Sequence, residues 1–429
     1  MILNLGDKLS RLKPPSASVR DVLKLAGGTA GSQVITVAAT PIITRLYGPE
    51  SFGVLATFAS ILALLNVVSS LRYELAIAVP EDDDEAITLV WLCFVLVAIS
   101  TALTALGVVL LRNQLVGWLQ QPVLKPLLWL LPVGVLVTGV YQPLSYWAIR
   151  RKHFGLLAQT KFRQSIIGVA TNLAAAPLGT IGLLLGQIVS QSAGFEAILR
   201  QSGAALLGRP RPTPAVLLKT LRRYSHFGIY SSPAGLINTI GNQVPNLIIA
   251  SAFGPVQLGQ LALAQRVLLL PAGVIGSSVG QVFLSQAAER YRTGTMPALI
   301  RQASRRLLAY GLIAALAASF LVSPMMPLLF GLEWAPTRWI VPLLTPLFLG
   351  QIIISPLSMA FIAARLNSNE MLAQVGLVTI RVGVLLGSIY FGLSFQPAIL
   401  AYSMACLAGY STYGLILAQS LKRDKPVSA

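Results

Sequence analysis

The sequence predicts an all-α polytopic membrane protein, with about 12 transmembrane helices in two six-helix lobes around a central cavity. Three observations predict it. Of 429 residues, 55% are apolar and only 11% charged, with a mean hydropathy of +0.72, whereas soluble domains carry roughly 25% charged residues. The apolar residues gather in runs of roughly 20, the length that crosses a hydrocarbon core about 30 Å thick. The segments between runs alternate between rich and poor in Lys and Arg, as membrane topology requires. The same composition excludes a disordered chain, which would be apolar-poor and charge-rich. Two cysteines, Cys93 and Cys406, both inside apolar runs, exclude a disulfide scaffold. A net charge of +18 would suggest nucleic acid in a soluble protein. Here the basic residues sit in connecting loops, so no nucleic-acid partner is expected.

In chain order the runs lie at approximately 22–44, 52–71, 86–111, 126–148, 157–178, 181–199, 227–252, 258–284, 307–330, 339–363, 372–393 and 397–419. Runs this long are helical, because barrel strands would alternate in short segments. With the N-terminus inside, the inner loops hold Arg150, Arg151, Lys152, Arg222, Arg223, Arg305 and Arg306 among others, and the outer loops only Arg45, Arg112, Lys125 and Arg338. Both termini are therefore expected in the cytoplasm. Residues 1–21 form a polar cytoplasmic tail without a small-residue cleavage site, so the first run is expected to be retained. The outer loops are short, with length only at 112–125 and 331–338, and no outer domain is expected. The longest inner connection, 200–226, contains Arg209-Pro210-Arg211-Pro212-Thr213-Pro214, whose prolines stiffen it against helix continuation. It divides a six-helix lobe at 22–199 from a second at 227–419, and 420–429 forms a cytoplasmic C-terminal tail.

The two halves begin alike. Tyr47-Gly48-Pro49-Glu50-Ser51-Phe52-Gly53 aligns with Phe253-Gly254-Pro255-Val256-Gln257-Leu258-Gly259 at a constant offset of 206. Each is an aromatic-Gly-Pro turn between the first two runs of a half. Repeats that enter from the same side are related by an axis along the membrane normal, with a site between them near the midplane.

Polar residues recur at helical spacing inside the runs: Gln33, Thr36, Thr40 and Thr44; Asn238, Asn242 and Asn246; Gln351, Ser355 and Ser358; Gln374, Arg381 and Ser388. Such stripes avoid lipid, so they line either helix contacts or a wet interior. Arg381 sits mid-run, where insertion costs roughly 2.5–3.5 kcal/mol, and Arg266 is similarly placed in the eighth run. No Asp or Glu lies centrally in any run, Glu196 being the nearest candidate partner. Guanidinium groups without a carboxylate mate suit an anionic ligand, phosphate above all. The candidate substrate-binding residues are thus Arg381, Arg266, Gln33, Thr40, Asn238, Asn242 and Gln374.

Four small-xxx-small pairs, Gly27/Gly31, Gly182/Gly186, Gly276/Gly280 and Gly383/Gly387, predict close helix contact. Pro41, Pro132, Pro177, Pro233, Pro245, Pro271, Pro342 and Pro346 fall inside runs and predict bends. Glu81-Asp82-Asp83-Asp84-Glu85 contains an Asp-x-Asp, but it precedes a membrane run with no nucleotide-binding domain around it, and reads as a solvated loop. The two histidines, His153 and His226, have no metal-ligand spacing. Neither a catalytic constellation, a metal site nor a cofactor is expected, and the chain does not read as an enzyme.

Arg45-Leu46-Tyr47-Gly48-Pro49-Glu50-Ser51-Phe52-Gly53, then Leu71-Arg72-Tyr73-Glu74-Leu75-Ala76-Ile77-Ala78-Val79-Pro80 and the acidic run, resembles the opening of bacterial polysaccharide-biosynthesis membrane proteins. These are the O-antigen-type oligosaccharide flippases of the multidrug/oligosaccharidyl-lipid/polysaccharide exporter superfamily. The resemblance implies a flippase moving a polyprenyl-pyrophosphate-linked oligosaccharide to the outer leaflet of the bacterial inner membrane, for O-antigen, capsule or exopolysaccharide synthesis. It implies alternating access by two lobes around a cationic cavity, which Arg266 and Arg381 would fit. The partners implied are a lipid-linked oligosaccharide of the undecaprenyl-pyrophosphate type, membrane lipids and polysaccharide polymerase machinery. The alternative within the superfamily is a cation-coupled drug or metabolite antiporter, which generally needs a carboxylate in the membrane.

Overall fold

The computed structural model describes residues 17–200, 208, 211–268, 295–358, 360–361 and 367–423. Among these residues the chain is helical, without strands. The first lobe comprises α1 (Ala17–Leu46), α2 (Pro49–Ser69), α3 (Asp83–Leu119), α4 (Leu130–Arg150), α5 (Phe154–Ala174) and α6 (Thr180–Ser192). A short helix, α7 (Pro214–Arg223), follows within the connection between halves. The second lobe begins with α8 (Ser232–Phe253) and α9 (255–268). It continues with α10 (Met296–Ala317), α11 (Ser323–Phe330), α12 (Thr337–Leu343), α13 (Thr345–Leu357), α14 (Asn367–Tyr390) and α15 (Phe395–Arg423).

Every run read from the sequence carries helix, although for 258–284 only the part up to 268 is described. A π-helical turn at Ala318–Val322 joins α10 to α11 into one span. Between Pro342 and Pro346 the chain bends by 57°, making α12 and α13 a broken span. Among the described residues, seven helices, or eight with that pair, are long and apolar enough to cross a bilayer on their own composition. The polar helices α1, α5 and α8 are not among them. They carry Gln33 and Thr36, Gln164 and Asn172, and Asn238 and Asn242, so their place in the bilayer depends on keeping those residues from lipid, against neighbouring helices or in a wet interior. Within lobes, α1 lies on α5, α5 on α6 and α3 on α4, while α15 lies on α13 and α14; between lobes, α2 runs along α8.

Several expectations need correction. The outer segment at 112–125 is mostly helix, because α3 continues past its apolar stretch to Leu119 and stops where Gln120 turns left-handed (φ 53°). Hydropathy marks where lipid ends, whereas the helix ends where backbone geometry changes. Pro177 lies in a 3-10 turn between α5 and α6, whereas Pro233 stands just after the π-helical turn Phe227–Ser231, within one continuous helical stretch. Of the glycine pairs, Gly182 and Gly186 are crowded, whereas Gly27, Gly383 and Gly387 have nothing within 4 Å of where a Cβ would stand. Gly276/Gly280 and Pro271 lie outside the described residues.

The two aromatic-Gly-Pro turns meet each other. A Cβ on Gly53 would stand 1.8 Å from the carbonyl oxygen of Pro255, and one on Gly259 1.8 Å from that of Pro49. The first glycines of the two turns differ. Gly254 adopts φ 88°, open to glycine at little cost. Gly48 is extended, and the nearest atom to a Cβ there would be a carboxylate oxygen of the exposed Glu333 side chain at 2.7 Å, which can swing aside.

Candidate functional site

Arg266 extends from α9 of the second half into a cavity walled by the first half. The cavity holds about 120 Å³ and is lined by α1, α2, α5 and α6 as well as by Arg266. Its polar wall is Thr36, Ser165, Asn172, Gln187 and Ser190. Arg266 has no carboxylate and no hydrogen-bond partner among the described residues. The Asn172 amide oxygen is also buried without a partner. It rests where a Cβ on Gly186 would be, at 1.7 Å, while the Asn172 carbonyl accepts from Tyr47 Oη at 2.7 Å. Gly182 in turn leaves room for that hydroxyl, which lies 2.9 Å from where its Cβ would stand. The glycine pair therefore shapes this wall, beyond letting helices approach.

Arg381 is placed differently. It is 6% exposed, in the interior of the second lobe. One terminal nitrogen donates to Tyr410 Oη and the other to Asn242 Oδ1 at 3.4 Å, and the guanidinium carbon lies 4.9 Å from the centre of the Tyr410 ring. Its Nε is buried without a partner. Asn242 also donates to Asn238, at 3.0 Å to the carbonyl and 2.9 Å to the side-chain oxygen. Asn238 and Asn242 are exposed, so the stripe on α8 forms a surface layer with Arg381 directly behind it. Among the described residues no carboxylate pairs with this arginine; phenol and amide oxygens hold it.

The structure thus brings together Arg381, Asn242 and Asn238, and puts Arg266 in a separate cavity between halves. Thr40 is buried and its hydroxyl turns back to the Thr36 carbonyl at 2.7 Å, as Thr36 does to Ser32 at 2.9 Å. Gln33, on the same helix, is half-buried. Gln374 donates to Glu370 Oε1 at 3.4 Å, two turns before Arg381 on α14, and does not join the Arg381 group. Asn172, Gln187, Ser190 and Tyr410 went unread in the sequence. A signal existed for the first: Gln164, Gly168 and Asn172 recur every four residues on α5.

Residues 42–338 match the family described as polysaccharide biosynthesis protein. The chain belongs to this family. The matched stretch holds both aromatic-Gly-Pro turns and Arg266 and ends before Arg381. A succinoglycan biosynthesis transport protein, ExoT of Rhizobium meliloti (strain 1021), is 26% identical over 344 residues, or 77% of this chain and 65% of that protein. The chain therefore spans less than two thirds of that relative's length. Among solved structures, the lipid II flippase MurJ in an inward closed conformation superposes with a TM-score of 0.73 at 15% identity, over 93% of this chain and 87% of that one. An inward-facing multidrug resistance MATE family transporter of the MOP superfamily gives 0.63 at 14% identity, over 93% and 95%. The polysaccharide-biosynthesis chain thus has the two-lobe, twelve-helix fold of MurJ and MATE proteins and is a multi-pass membrane protein.

In this family member the acidic run is occupied with architecture. Asp82 caps α3 by accepting from the Asp84 N–H at 3.2 Å. Asp83 pairs with Arg150 at 3.1 Å and Arg151 at 2.6 Å, and Glu85 pairs with Arg223 at 2.7 Å. Glu196 is exposed and pairs with Arg200 one turn on, far from either membrane arginine's needs. The sequence reading missed the buried carboxylate, Glu74, which is 1% exposed and lies just past the α2 run. It accepts from Ser70 and stands 3.7 Å from Arg72, whose backbone, with that of Leu71, is left-handed (φ 61° and 48°).

Proposed function

We propose that this protein flips a polyprenyl-pyrophosphate-linked oligosaccharide from the cytoplasmic to the outer leaflet of the bacterial inner membrane, by alternating access between its two lobes. The observation that carries the reading is Arg266, a guanidinium without a carboxylate partner among the described residues, in a polar cavity walled by the other half. A permanent cation removed from water demands an anionic partner, and guanidinium matches phosphate oxygens with paired N–H donors. Hydroxyl-rich sugar needs acceptors and donors that replace water, which Thr36, Gln187, Asn172, Asn238 and Asn242 offer. The lipid tail stays in the bilayer. Both termini face the cytoplasm in this reading, on the strength of the Lys and Arg distribution. An antiporter would use a membrane carboxylate; the one buried among the described residues, Glu74, is already engaged by Ser70 and Arg72.

The test is glycan export in a bacterium deleted for its own flippase and complemented with Arg266→Ala, Arg266→Lys or Arg381→Gln. Export is expected to fall at least tenfold in Arg266→Ala, the order of one or two charge-assisted hydrogen bonds, and to recover in part with Lys. Arg381→Gln is expected to fall less, since Asn242 and Asn238 remain. Full export by Arg266→Ala at parental abundance would overturn the assignment.

A further inference from the structure

The duplicated turn has a second glycine that turn geometry does not explain. Gly53 and Gly259 lie inside helices, four residues after their prolines, where any residue could adopt the backbone. Each faces the other half: Gly53 lies against the Pro255 carbonyl, and Gly259 against the Pro49 carbonyl and the Gly53 nitrogen. Equivalent positions of the repeat thus touch reciprocally, as on a two-fold axis, where α2 crosses α9. Around this crossing the lobes are joined by further bonds. Trp334, fully buried, donates its indole N–H to the Thr44 carbonyl at 2.9 Å and meets Phe52 edge-on at 5.0 Å. Arg45 donates to the Leu328 carbonyl at 2.9 Å. All of these lie at the end of the lobes away from Arg150, Arg151 and α7.

We propose that the twin turns are the latch that seals the outer mouth of the space between the lobes, with Gly53 and Gly259 as its mating surfaces. This rests on the transport reading and its orientation. The latch closes only backbone on backbone, so one methyl group on either glycine holds it ajar. Both contacts belong to one rigid approach of the lobes, so opening one opens the other.

The experiment introduces Thr44→Cys as a reporter, since Thr44 is buried beside Trp334, and follows its reaction with a membrane-impermeant maleimide in right-side-out and inverted vesicles. A control retains only Cys93 and Cys406, both buried. Labelling from the outer side is expected to be slow in the parent and roughly tenfold faster or more with Gly53→Ala or Gly259→Ala, the scale of an overpacked contact. The double variant is expected to be no faster than either single one. Trp334→Phe adds no volume and is expected to accelerate labelling by a smaller factor, which keeps the test open if the alanine variants fail to accumulate. Unchanged labelling in every variant that reaches parental abundance, multiplicative effects of the two alanines, or acceleration only in inverted vesicles would each overturn the latch. Labelling needs no glycan, so loss of the flippase assignment would leave this result standing.

Discussion

Gly182→Ala and Gly383→Ala make the same chemical change in the same sequence motif, and the structure predicts opposite results. In a helix interior, alanine in place of glycine contributes about 0.5–1 kcal/mol through reduced backbone freedom. Nothing lies within 4 Å of a Cβ at Gly383, so that gain should be realised in full. At Gly182 the new Cβ would stand 2.0 Å from the Ala175 carbonyl oxygen and 2.9 Å from Tyr47 Oη, where real contacts stop near 3.0 Å. The helices must separate by about 1 Å, and the obstacle is backbone, which cannot rotate away. Overpacking costs typically 1–3 kcal/mol, and a 2.0 Å approach to backbone lies at the upper end, so the net effect is a loss of about 2 kcal/mol. The assay is the fraction of monodisperse protein surviving a temperature series in detergent. The apparent midpoint should fall for Gly182→Ala and hold or rise for Gly383→Ala. Export should fall with the first, because Tyr47 and Asn172 move beside the Arg266 cavity. Equal midpoints for the two variants would refute the reasoning.

Two further outcomes are expected. Asp83→Asn removes partly exposed pairs with Arg150 and Arg151, worth up to ~1 kcal/mol, so export should persist with a slightly lower thermal midpoint; export lost at normal abundance would give the acidic run a direct chemical role. Glu74→Gln removes the buried carboxylate that accepts from Ser70 and faces the partly exposed Arg72, a change that costs about 1–3 kcal/mol, and should lower the midpoint by more than Asp83→Asn does. An unchanged midpoint would mean that Arg72 and Glu74 are not a structural pair.

The helices were legible because hydropathy over roughly 20 residues is a property of one segment at a time. Helix ends were less so: Arg112, Asn113 and Gln114 are polar and yet continue α3, because nothing there breaks the backbone until Gln120. Arg381 was recognisable as an anomaly, but its main partner, Tyr410, is 29 residues away on another helix, and only the α14–α15 contact selects it from among the tyrosines. Glycine spacing identified the crowded Gly182/Gly186 and the empty Gly383/Gly387 alike, since spacing records which residues share a helix face and not what stands opposite. The repeated turn was legible as a motif, but the duty of its second glycine depends on contact with the other half of the chain, Gly53 with Pro255 and Gly259 with Pro49.

The connection between halves is shorter in effect than in sequence. Tyr73 donates to the Leu221 carbonyl at 2.9 Å, Arg223 pairs with Glu85, and Arg211 lies over Trp91 at 5.7 Å, so α7 is fastened beneath the first lobe along its whole length. Tyr224 is buried in the same first-lobe cluster and Phe227 packs against it, so what remains before α8 is little more than the π-helical turn at Phe227–Ser231. Wide turns of this kind interrupt the regular ladder and give way more readily than the helix around them. Any swing of one lobe against the other therefore draws on this short collar.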